Sequence, residues 1–308
     1  MECRIDRGQW LLELALGCLP NAEAFSISLR AGDECDLGRL FEGSLQIESV
    51  KRLYLYRLVG EDHPINMDQL DSFLAMVPRV EQLEMNVSGR LRQNLPLAEV
   101  RSLIVAENSL TRLGLEKLVS SCPKLERFEY RSASLDTRIR WQRGREEVTW
   151  REAQSLLHQR RETLKHLDFD FGEDYLSFRD DELQPWDYLD SFREFDRLET
   201  LLVRTAGFGE EGDGEQEPAF PASAEHLVEM LPQSLTVLGF CGEHRKWDGV
   251  GRLAQAIRQG NFQKLKRVLL EIVDDFEGSR EILRTVGVVA KRYDGRYQTF
   301  SYYSHDWL

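Results

Sequence analysis

The sequence predicts an α/β solenoid, with parallel strands lining one side and helices covering the other. Three observations predict it. The pattern apolar-x-x-apolar-x-apolar recurs nine times along 308 residues. Helix-like segments precede most copies, and a proline closes several of those segments. Repetition at intervals of tens of residues is the mark of a stacked architecture, in which each unit buries its apolar face only against its neighbours.

The copies are Ala22 to Ile27, Val50 to Leu55, Val80 to Met85, Val100 to Val105, Leu125 to Tyr130, Leu164 to Phe169, Leu198 to Val203, Leu235 to Phe240 and Leu265 to Leu270. Val100 to Val105 continues through Asn108 and Leu110, which completes the leucine-rich signature with aliphatic substitutions. Leu125 to Leu135 matches with Ala133 in the Asn slot. The helical segments are Trp10 to Leu19, Met67 to Val77, Leu110 to Cys122, Glu152 to Thr163, Trp186 to Phe195, Ala224 to Leu231 and Val250 to Gly260. Leu70, Phe73 and Leu74 show the one-sided apolar spacing of a helix, and Leu113, Leu115, Leu118 and Val119 do the same. Pro20, Pro78, Pro123 and Pro232 follow helices and stop them. Arg280 to Arg292 reads as a last helix and Tyr297 to Tyr303 as a terminal strand.

The expectation is one leucine-rich-repeat domain over 1–308, a horseshoe of about nine to ten repeats with a parallel concave sheet and outer helices. Residues 206–218 contain Glu210-Glu-Gly-Asp-Gly-Glu-Gln-Glu217 and read as a disordered acidic loop. No Gly-x-Gly-x-x-Gly or phosphate loop follows a strand, which weighs against a doubly wound nucleotide-binding domain.

Composition narrows the function. Lys plus Arg is 40 and Asp plus Glu is 53, a net charge of −13. That opposes nucleic-acid binding, which needs cations to neutralise phosphate. No apolar run reaches the roughly 18 residues of a membrane span. Cys3, Cys18, Cys35, Cys122 and Cys241 are scattered and odd in number, as expected of reduced thiols in the cytoplasm or nucleus. No Gly-x-Ser-x-Gly and no His-Glu-x-x-His is present, so neither a catalytic residue nor a cofactor is assigned.

The repeat itself selects a binding face. In L-x-x-L-x-L-x the leucines point inward, and the third, fifth and seventh positions project from the sheet. The candidate partner-binding residues are Arg52, Tyr54, Tyr56, Glu84, Asn86, Arg127, Glu129, Arg131, His166, Asp168, Asp170 and Arg204. Tyrosines supply rigid contact area with a polar tip, and the acidic middle suits a partner with basic and apolar groups. The expected function is therefore protein–protein interaction without catalysis. Two alternatives stay open. One is a metal-assisted enzyme centred on His166, Asp168 and Asp170, which share one strand face. The other is a nucleic-acid binder through Arg138, Arg140, Arg143 and Arg145, with the aromatics Trp141 and Trp150.

The strand-and-exit segments Cys18-Leu-Pro-Asn-Ala-Glu-Ala-Phe25, Ser121-Cys-Pro-Lys-Leu-Glu-Arg-Phe128, Thr163-Leu-Lys-His-Leu-Asp-Phe169 and Gln263-Lys-Leu-Lys-Arg-Val-Leu270 carry a resemblance. Over roughly residues 8 to 272 the chain resembles the F-box/leucine-rich-repeat proteins abundant in filamentous fungi. The resemblance implies substrate recognition for an SCF-type ubiquitin ligase, with the repeats holding the substrate. Docking on the ligase adaptor would need an N-terminal F-box, and no Leu-Pro-x-Glu-Ile-type motif stands before the first repeat.

Overall fold

The computed structural model describes residues 21–29, 46–57, 65–86, 89–108, 110–132, 148–170, 189–204, 228–243, 249–272 and 276–292. The chain divides into two compact units, Met1–Glu182 and Leu183–Leu308, and each is described by itself.

The first unit is built on parallel strands β1 (Ala24–Leu29), β2 (Arg52–Arg57), β4 (Gln82–Asn86), β6 (Ser102–Asn108), β7 (Arg127–Ser132) and β8 (His166–Asp170), which pair in that order. Between them, β3 (Ile65–Asn66) and β5 (Gly89–Arg90) form a small parallel pair of their own. Among the described residues three α-helices connect the strands: α1 (Leu70–Met76), α2 (Arg112–Ser121) and α3 (Trp150–Leu157). The second unit repeats the plan. Its parallel strands are β9 (Thr200–Arg204), β10 (Val237–Glu243), β11 (Arg267–Ile272) and β12 (Val289–Arg292), with α4 (Gly249–Arg258) and α5 (Phe276–Arg284) between successive pairs. All nine predicted strand cores are strands, and the class is α/β.

Local chemistry explains the boundaries. Thr111 caps α2, its hydroxyl accepting from the Gly114 amide at 3.2 Å. Thr149 and Glu152 form a reciprocal capping box on α3, at 3.2 and 3.0 Å, which satisfies two otherwise orphaned amides. Gly260 ends α4 with φ +93°, and the Asn261 amide returns to the Ala256 carbonyl. Gly287 does the same after α5, with φ +77° and the Val288 amide returning to Leu283. Both are six-to-one closures of the kind that a left-handed glycine permits.

The apolar repeat positions fill the core. Leu53, Leu55, Leu83, Met85, Leu103, Val105, Phe128 and Leu167 have no exposed surface. Leu70, Phe73 and Leu74 of α1 and Leu115, Leu118 and Val119 of α2 are buried as well. Removing a leucine from such a layer costs about 2–5 kcal/mol.

Two predicted elements differ. The described part of the expected helix Trp186 to Phe195 is turns. Its apolar residues fall every third position, as Leu189, Phe192, Phe195 and Leu198, and a chain of turns buries them as well as a helix would. The expected helix Arg280 to Arg292 begins earlier, at Phe276, and stops at Arg284. Gly287 turns the chain, and Val289–Arg292 becomes strand β12 beside β11. The apolar residues on either side of Gly287 keep helical spacing, so the break rests on the glycine alone. Trp10 to Leu19, residues 206–218 and Tyr297 to Tyr303 lie outside the described residues.

Candidate functional site

Parallel register turns repeat positions into rows across the sheet face. The third-position row runs Ala24, Arg52, Gln82, Ser102, Arg127 and His166. The fifth-position row runs Ser26, Tyr54, Glu84, Ile104, Glu129 and Asp168. Tyr56 pairs with Asn86, and Arg131 with Asp170. The sequence-selected residues of the first unit therefore do share one face in adjacent rows.

Within that face the two ends differ. Arg52 is exposed, and Tyr54, Tyr56 and Asn86 are half-buried. The two tyrosine rings lie 6.4 Å apart and 12° from parallel. The Tyr56 hydroxyl reaches the Glu84 carboxylate at a long 3.5 Å. Burial pushes the Glu84 carboxyl up. The Arg131 charge opposes that shift, Glu129 adds to it, and the Tyr56 hydroxyl opposes it weakly.

Toward β7 and β8 the face closes. Glu129 is 2% exposed, Asp168 5% and Asp170 7%. Their repeat positions direct these carboxylates outward as partner-binding residues, yet they are buried. Glu129 sits between two arginines of its own strand, because residues two apart share a face. Arg127 donates to one carboxylate oxygen, from Nε at 2.7 Å and also from Nη2. Arg131 donates to the other from Nη2 at 2.8 Å. A buried anion held by two guanidiniums is compensated in the way that burial demands.

Asp168 lies next to Glu129 across the strand pair. Burial first, then the Glu129 and Asp170 charges, push its carboxyl up to about 7, against the pull of Arg131 and Arg127. His166 is pressed down to about 4 by burial and by Arg127, with Glu129 opposing. Its Nε2 stands 3.7 Å from the Glu129 carboxylate, beyond hydrogen-bond reach. At neutral pH His166 is therefore neutral, and Asp168 is partly protonated.

The chemistry available here is limited. His166, Asp168 and Asp170 share a face, as their spacing predicts. Yet among the described residues no group of three or more His, Cys, Asp or Glu side chains could hold a metal ion. Both oxygens of the neighbouring Glu129 carboxylate are already taken by the Arg127 and Arg131 guanidiniums. Cys122 is buried, with its thiol pushed up to about 12, and has no nucleophilic character. Arg204 lies in β9, and its side chain is outside the described residues, as are Arg138, Arg140, Trp141, Arg143 and Arg145. The Arg127–Glu129–Arg131 clamp was legible as alternate residues on one strand. The burial that perturbs Asp168 was not.

In the second unit the fifth-position row runs Leu202, Gly239, Leu269 and Lys291. Leu202 and Val237 are buried. The Leu202 side chain lies across Gly239, where an added Cβ would come within 2.4 Å of it. Glycine there lets the neighbouring leucine cover the strand.

No known protein family matches the chain. No curated protein matches it either. Among solved structures it is similar to the crystal structure of a Bacteroides fragilis protein from a structural-genomics consortium. That match has a TM-score of 0.41 and 12% identity, covering 90% of this chain and 68% of the other. A likeness of that size carries no statement about function. No helix among the described residues is long and apolar enough to cross a membrane.

Proposed function

We propose that this chain is a non-enzymatic protein-interaction module of the leucine-rich-repeat type, which reads a partner with its ladder face. The observation that supports this reading most is the open end of that face. Arg52, Tyr54, Tyr56 and Asn86 project from parallel strands β2 and β4, whose inward residues Leu53, Leu55, Leu83 and Met85 are fully buried. Tyrosine pairs beside an arginine are the composition of binding hot spots, because they bury much area for little lost side-chain freedom. The contact moves to this end because Glu129, Asp168 and Asp170 are buried and Glu129 already holds Arg127 and Arg131.

In its finer form the reading makes the module the substrate-recognition part of an F-box ubiquitin-ligase receptor in the cytoplasm or nucleus, which rests on the sequence resemblance. The test is affinity capture with the full chain, run beside Tyr54→Ala with Tyr56→Ala and, separately, Asp168→Asn. A partner held by the wild type and by Asp168→Asn, and lost from the tyrosine variant, is the expected result. A partner held equally by all three would place recognition elsewhere. For the finer form, the captured partner should accumulate in cells when ubiquitin ligation is blocked, and an unchanged level would remove it.

A further inference from the structure

Two observations meet at the outer edge of β1. The first is a charge ladder at the second repeat position, the residue leading each strand. In the first unit these residues are Glu23, Lys51, Glu81, Arg101, Glu126 and Lys165, which alternate in sign without exception. Backbone register stacks them. The Lys51 amide donates to the Glu23 carbonyl at 2.9 Å, Glu81 to Lys51 at 2.8 Å, Arg101 to Glu81 at 2.8 Å, Glu126 to Arg101 at 2.8 Å and Lys165 to Glu126 at 2.7 Å. Where the side chains close, Arg101 and Lys165 hold Glu126 from both sides, at 2.6 and 2.8 Å. Together those two partners keep the Glu126 carboxyl below its usual range.

The second observation is incomplete burial. The inward residues of the next strands, Leu53, Leu55, Leu83 and Met85, are fully closed. Phe25 and Ile27, which hold the same positions in β1, are only half-buried. Among the described residues β1 pairs with one strand, β2. A strand edge with a half-covered apolar flank is a template for another strand.

We propose that the outer edge of β1 accepts a parallel β-strand from a partner chain, with a basic residue facing Glu23 and apolar residues facing Phe25 and Ile27. In the register of this sheet, the carbonyl of that basic residue meets the Glu23 and Ala24 amides, as the Glu23 carbonyl meets the Lys51 and Arg52 amides one strand on. Neighbouring strands lie about 4.8 Å apart. An acidic residue opposite Glu23 would set like charges side by side, and a basic one continues the alternation. The added strand completes burial of Phe25 and Ile27. This surface is separate from the ladder-face contact, and the two stand or fall independently.

The probe is a synthetic peptide with the sequence of residues 99–108, whose Arg101, Leu103 and Val105 already pack in this sheet beside the acid-led strand β4. Fluorescence anisotropy against the full chain should show saturable binding. Arg101→Glu in the peptide should weaken it by roughly three- to ten-fold. Glu23→Lys in the chain changes one exposed residue and should invert that preference, so that the acidic peptide binds better. Absence of saturable binding to the wild type overturns the proposal, as does a charge preference that Glu23→Lys leaves unchanged.

Discussion

Tyr54 and Tyr56 of β2, and Glu129 and Asp168 of β7 and β8, project from the same sheet face, and Tyr54, Glu129 and Asp168 lie in the same register row. Yet the tyrosines keep access to solvent, and the carboxylates are sealed. Repeat position thus fixes direction and leaves environment open. Two charged residues that a sequence presents as outward contacts can instead become an internal ion cluster, where each carboxylate is answerable to its neighbours. The difference matters for function, since a group already engaged by two guanidiniums has little left to offer a partner.

The sharpest way to break the contrast is to strand the buried carboxylate. Arg127→Met with Arg131→Met should lower stability by about 3–5 kcal/mol in urea denaturation, because Glu129 is left buried without a counter-charge. Adding Glu129→Met should recover most of that loss. A double variant as stable as the wild type would mean that Glu129 is not sealed.

Next in size is a pH effect with a defined sign. Asp168 binds its proton more tightly folded, at about 7, than unfolded near 3.8. Its contribution is present below about pH 4 and is lost as pH rises through about 7. Asp168→Asn should therefore gain on the wild type between pH 5 and 8, by about 2–4 kcal/mol. Equal stability differences at the two pH values would refute the raised carboxyl.

His166 should act in the opposite sense. It is pressed from 6.5 to about 4, so its contribution is present above 6.5 and lost as pH falls toward 4. His166→Gln should flatten that acid limb by about 1–3 kcal/mol. The smallest effect belongs to the open end. Tyr54→Ala should cost under about 1.5 kcal/mol of stability, chiefly half-buried area and its contact with Tyr56, while removing much of the partner affinity. A large loss of stability there would show the tyrosines to be core residues.

Nine strand positions were legible, each strand beginning at the third residue of its apolar-x-x-apolar-x-apolar segment, because the pattern combines period two with a fixed lead-in. The helices were legible where apolar residues came at three- and four-residue spacing, as in α1 and α2. They failed where apolar residues came only every third position, at Leu189, Phe192 and Phe195, and where Gly287 cut a run that kept helical spacing. In the candidate site, the members of each row were legible from alternation alone. Their states were not: Glu129 beside Arg127 and Arg131 could be read as a surface triad or as a buried clamp, and only burial separates the two.

The sequence by itself determined the α/β class, the position and direction of the strand cores, and the alternating charges that lead them. Each follows from short-range periodicity, which the backbone converts directly into faces and neighbours. The tertiary structure decided which of those outward residues meet water. Solvent access depends on segments distant along the chain, and so do the raised Asp168 carboxyl, the neutral His166 and the half-open flank of β1. Desolvation and nearby charge set these properties, and no local pattern encodes either.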